Sequence, residues 1–74
     1  MEAREASIIT GVIAEKYGLD NIEVSGWLHN ALDPGLGPES NQKARGSLNH
    51  ALDESDVTYL LGIWADCIAD SNSA

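Results

Sequence analysis

AEKYGLDNIEVSGWL, residues 14–28, is the stretch whose reading decides the fold. Ala14, Gly18, Val24 and Leu28 set a small residue, a glycine and two apolar residues at offsets that let a second helix cross a first through a tight turn. Gly18 is a natural stop for the first helix, because a left-handed backbone costs glycine nothing. Asp20 followed by Glu23 has capping-box spacing, with Asp20 at the N-cap and Glu23 at N3. Val24, Trp27, Leu28 and Ala31 then line one face. Asp33-Pro34 ends it, since the residue before proline avoids the helical region.

Upstream, Ala6, Ile9, Val12, Ile13 and Tyr17 recur at three- and four-residue spacing and predict an apolar stripe on the first helix. Gly11 interrupts it at a cost of ~1 kcal/mol relative to alanine and marks a close helix crossing. Downstream, Pro34-Gly35-Leu36-Gly37-Pro38 reads as a connector. A third helix with Pro38 at N1 carries only Ala44, Leu48, Ala51 and Leu52 as apolar residues. A fourth, capped by Asp53 or Ser55, has the cleanest stripe: Val57, Leu60, Leu61, Trp64 and Ile68. No alternating stretch competes. The expectation is an all-α single domain over 1–74, a compact three- to four-helix arrangement around Trp27 and Trp64. Its helices fall at about 2–17, 21–32, 39–52 and 55–69, with a loop at 33–38 and a frayed tail at 70–74. The stretches 26–33 and 46–53 share Gly, Leu, Ala, Leu and Asp in register, as two amphipathic helices with similar ends would.

Charge is the most informative bulk property. Twelve Asp and Glu face four Lys and Arg, for a net charge of −8 and a pI near 4.3. No Lys or Arg lies between Tyr17 and Gln42 or beyond Gly46, while nine acids do. Such a surface repels nucleic acid and anionic lipid and attracts basic partners. One cysteine, Cys67, excludes an intramolecular disulfide and fits a reducing compartment. No apolar run reaches the ~18 residues of a membrane span and no signal-peptide pattern opens the chain. The expectation is a soluble protein of the cytoplasm, that of a bacterial host if the gene is a phage's.

Catalytic chemistry finds little support. His29, His50, Cys67 and the acids show no H-x-x-x-H or C-x-x-C spacing. Asp53-Glu54-Ser55-Asp56 lacks the glycine and terminal glutamate of a calcium loop and reads as helix capping. Cys67 has no base beside it in sequence and reads as a flank of the core. No enzyme activity and no cofactor are expected. On the fourth helix, Tyr59, Ile63, Asp66 and Asp70 project opposite the apolar stripe, with Asp56 at the edge. An acidic face interleaved with an aromatic and an aliphatic suits docking on a basic, partly apolar protein surface; packing of Tyr59 and Ile63 against the third helix or within a homodimer is the competing reading.

Ala14, Gly18, Val24 and Leu28 give residues 14–28 a local likeness: the segment resembles the helix-turn-helix of phage repressor and Cro proteins. That resemblance implies a second helix in the major groove, with Asn21, Ile22, Glu23 and Ser25 at the contact positions. Affinity for DNA, however, comes mainly from cations that neutralise ~6–10 phosphates, and this chain has four cations in all. In size, acidity, helicity and lack of a catalytic motif the chain resembles the small acidic inhibitors of phages and mobile elements, anti-CRISPR proteins and other DNA mimics among them. This resemblance implies a protein that blocks a basic nucleic-acid-binding surface, such as a subunit of a CRISPR effector, and binds neither nucleic acid nor membrane. The candidate contact residues are Asp20, Glu23, Asp33, Asp53, Glu54, Asp56, Tyr59, Ile63, Asp66 and Asp70. A small helix-turn-helix transcription regulator and a homodimeric accessory or antitoxin-like protein are the alternatives.

Overall fold

Gly18 has φ +71°, and around it the backbone closes the first helix. Its N–H donates to the Glu15 carbonyl and that of Leu19 donates to the Ala14 carbonyl, the paired bonds of a Schellman turn. The computed structural model describes residues 1–72, and in it four helices follow one another: α1 (Ala3–Lys16), α2 (Asn21–Leu32), α3 (Pro38–Ala51) and α4 (Glu54–Asn72). The protein is an all-α domain with no strand among the described residues. Asp20 caps α2 by accepting from the Ile22 N–H at 2.9 Å. The connector contains a single 3-10 turn, Pro34–Leu36, in which the Asp33 carboxylate accepts from the Gly35 N–H. Asn41, in the first turns of α3, donates its amide to the carbonyls of Asn30 and Asp33 at 2.7 and 2.8 Å. Two of the carbonyls at the end of α2, which the helix cannot satisfy itself, are thus closed by the next helix.

Helix α2 keeps both expected limits, those of α1 and α3 and the start of α4 shift by one residue each, and the end of α4 shifts by three. Helix α3 ends at Ala51, and α4 runs to Asn72, past the expected fraying point at 70. Asp66 and Asp70, on successive turns of α4, hold the Met1 ammonium at 3.2 and 2.6 Å, which ties the last turns to the start of the chain. The rest of the expected tail, Ser73 and Ala74, lies outside the described residues.

Helices α1 and α4 run antiparallel, with polar contacts at both ends and in the middle. Met1 meets Asp66 and Asp70, Thr10 meets Trp64, and Tyr17 meets Asp53 and Asp56. Helix α2 packs against all three others. The core consists of Val24, Leu28 and Ala31 from α2, Ala44 and Leu48 from α3, Leu52, and Val57, Leu60, Trp64 and Cys67 from α4, closed by Ala6 and Ala14. At α1 the expected stripe is rotated. Ala6, Thr10 and Ala14 are fully buried, Ile9 and Ile13 half-buried, and Val12 is 64% exposed. The small residues face inward because α1 lies close against its neighbours. A Cβ on Gly11 would sit 3.3 Å from Asn21 Nδ2, so α1 and α2 do approach closely there. Trp64 is central as expected, whereas Trp27 is only half-buried at the edge of the core.

Candidate functional site

Eleven of the twelve carboxylates are exposed, and Asp56 is the exception. The antiparallel pairing of α1 and α4 sorts many of them into two ends. At one end, the Met1 ammonium before α1 holds Asp66 and Asp70 of α4, and Glu2 and Glu5 border the same recess as Asp70. Met1, Glu2, Ala3, Glu5, Cys67 and Asp70 line a shallow recess there. Four carboxylates share this end with the Met1 ammonium and Arg4. Hydrogen bonds from Met1 to Asp70 and then Asp66 raise the amino group from its ordinary 8.0 to about 10.

At the other end, the α1 C-terminus meets the start of α4. The Tyr17 hydroxyl donates to Asp56 Oδ2 and accepts from the Asp53 N–H at 3.2 Å. Lys16 Nζ lies 3.1 Å from the same Asp56 oxygen. Those two partners, Tyr17 first, hold the Asp56 carboxyl below its ordinary range. The bond to Asp56 in turn raises both the Tyr17 hydroxyl and the Lys16 ammonium. Asp53 and Glu54 are exposed beside this cluster. The Asp53 carbonyl, not its carboxylate, receives the first N–H groups of α4, from Asp56 and Val57.

The ten candidate contact residues therefore separate. Asp53, Glu54 and Asp56 gather at one end of the α1–α4 pair and Asp66 and Asp70 at the other, with the 51% exposed Tyr59 on the helix between them. Ile63, expected on the exposed side of α4, is instead half-buried against the core; Asp56 and Asp70, seven residues to either side on the same face, meet Tyr17 and Met1 at the two ends of α1. Asp20 and Glu23 are exposed in the first turn of α2, and Asp33 is exposed at its end; Asp20 and Asp33 also serve as caps. Sequence reasoning missed the Met1 ammonium as a local counter-charge and the role of Tyr17. The −8 count includes no chain termini, and Tyr17 fits a core stripe equally well.

The outward residues of α2 are Ile22, Glu23, Gly26, His29 and Asn30, none of them Lys or Arg. Half-buried Trp27 lines a groove between α2 and α3 with Asn30, Leu36, Ser40, Lys43, Ala44 and Ser47. Among the described residues no three His, Cys, Asp or Glu converge as a metal site would require, and no helix is long and apolar enough to cross a membrane. Comparison with family models, with characterised proteins and with solved structures finds no match to the chain.

Proposed function

We propose that the protein binds a basic, nucleic-acid-binding surface of another protein and blocks it, its carboxylates standing in for phosphates. The observation that carries this reading is the disposition of charge along the α1–α4 pair. Helix α4 and the residue before it hold Asp53, Glu54, Asp56, Asp66 and Asp70 with no cation, and four of the five are exposed. The two acidic ends are separated by the length of α1, 14 residues or about 21 Å. That span corresponds to about six phosphate steps of one DNA strand. A groove lined by Lys and Arg that normally grips a duplex is the complementary partner, and Tyr59 supplies apolar contact between the acids. Each exposed ion pair contributes at most about 1 kcal/mol. Many together give fast association that weakens as salt rises. A CRISPR effector subunit is one target of this chemistry.

The test is displacement of a labelled duplex from a nucleic-acid-binding protein recovered from host lysate. The parent should release the duplex at low salt and lose that effect as salt rises. Glu2→Gln/Glu5→Gln and Asp53→Asn/Glu54→Gln, which leave the contacts of Asp56, Asp66 and Asp70 intact, should each weaken displacement. Direct binding of the parent to duplex DNA at ~0.15 M salt, or displacement indifferent to both double variants, would sink the idea.

A further inference from the structure

The groove between α2 and α3 holds about 440 Å³, within the size range of small-ligand sites. Its apolar wall is Trp27, half-buried against the core, and Leu36 of the connector, which is 46% exposed. Asn30, Ser40 and Lys43 stand around that wall. Asn30 and Trp27 are three residues apart on α2, and Ser40 and Lys43 are three apart on α3, so each pair shares a helix face. The Asn30 carbonyl accepts from Asn41, but its side-chain amide has no protein partner among the described residues. The same holds for the Ser40 hydroxyl and the Lys43 ammonium. All three can donate hydrogen bonds. None of the twelve carboxylates of the chain lines the groove, and its one ionised group is a cation.

We propose that this groove binds a small aromatic carboxylate, its ring against Trp27 and Leu36 and its carboxylate on Lys43, Ser40 and Asn30. An indole favours offset or edge-on contact with a second ring. Donors without acceptors call for an anion, and a carboxylate accepts from several at once. A cationic ligand would meet no carboxylate there, and a bare phosphate would leave the apolar wall uncovered. The net charge of −8 opposes any anion at long range, but at ~0.15 M salt charges interact over about 8 Å and the lining decides. Glu39 is exposed one turn before Lys43, too far for an ion pair, and its charge weakens the site. The groove shares no residue with the acidic ends of α1 and α4, so it is independent of the target proposed above.

The test is a titration of the whole chain with sodium 3-phenylpropionate at ~0.15 M salt, followed by amide and indole N–H shifts in NMR. The Trp27 indole signal, identified by its loss in Trp27→Phe, and the amides of 40–47 should shift saturably. A Kd of about 1–5 mM is expected for a ligand of this size. Lys43→Glu, at an exposed position, should weaken binding at least about fivefold, and Glu39→Gln should tighten it about twofold. A gain on removing Glu39 cannot come from damage to the fold. The neutral 3-phenylpropan-1-ol, which lacks the charge, and hexanoate, which lacks the ring, should each bind more weakly than the probe. No saturable shift by about 20 mM, four times the weakest expected Kd, overturns the proposal. So do shifts centred elsewhere, Lys43→Glu binding like the parent, or either reference compound binding as tightly as the probe.

Discussion

Among the described residues Thr10 is the one polar residue in the core, and it joins two helices through a single oxygen. Its hydroxyl accepts from Trp64 Nε1 at 2.9 Å and donates to the Ala6 carbonyl at 2.7 Å. Valine has nearly the same shape but neither capacity, so Thr10→Val would leave the indole N–H buried without a partner. That omission costs about 1–3 kcal/mol, a large share of the stability of so small a domain. Urea unfolding followed by tryptophan fluorescence should show a loss in that range, and a much smaller one for Thr10→Ser, which keeps the hydroxyl. The two ends of α1 set the pH response. The Met1 amino group titrates higher in the folded chain, about 10 against 8.0, so its contribution is complete below pH 8 and disappears as pH rises through 10. Asp56 titrates lower than its ordinary 3.8, so its contribution is present above that value and is lost as pH falls below it. Thermal unfolding across pH should therefore show a plateau with a fall on either side. Acetylating the amino terminus should remove the part of the alkaline fall between pH 8 and 10, leaving the part due to Lys16 and Tyr17, and Tyr17→Phe should shrink the acidic one.

Among the elements, the turn between α1 and α2 rests on one backbone angle. Gly18 sits at φ +71° with nothing within 4 Å of where a Cβ would be, so Gly18→Ala meets no clash but must adopt the left-handed region. The cost is about 1–2 kcal/mol. Gly62, inside α4, also has open space around its missing Cβ but an ordinary helical backbone. Gly62→Ala should stabilise by up to about 1 kcal/mol. Opposite signs from two Gly→Ala changes in thermal melts would verify that α1 ends where the Schellman bonds place it; equal signs would not fit. This turn was legible in the sequence, because Gly18 and Asp20 act through local backbone chemistry alone. The same is true of the Asp33-Pro34 break and of the four helices. The inward face of α1 was not legible. Periodicity ranks residues by hydrophobicity and so favours Val12, whereas a close approach of helices selects the small side chains of Ala6, Thr10 and Ala14. The acidic ends were half legible: composition showed the excess of acid, but only the antiparallel pairing of α1 with α4 shows which carboxylates stand together and which are engaged by Met1, Lys16 or Tyr17.

At the scale of the whole molecule, twelve acids and four bases are confined to a body of about 35 × 28 × 20 Å. At ~0.01 M ionic strength the screening length is about 30 Å, so nearly every pair of charges in the molecule interacts and net repulsion opposes the compact state. At ~0.15 M the length falls to about 8 Å, and only neighbours still interact. The attractive contacts, Met1 with Asp66 and Asp70 and Lys16 with Asp56, are at 2.6–3.2 Å and lose much less to screening than the distant repulsions. Added salt should therefore stabilise this fold, with the melting temperature rising as sodium chloride goes from 0.01 to about 0.15 M and changing little beyond. The same salt weakens the attraction of the acidic ends for a basic partner. Stability and partner binding should thus move in opposite directions along one salt series, a signature that a general loss of folding cannot produce. A melting temperature that falls over that range would mean that the three short ion pairs outweigh the summed repulsion, and that the carboxylates serve the fold more than they project a field to a partner.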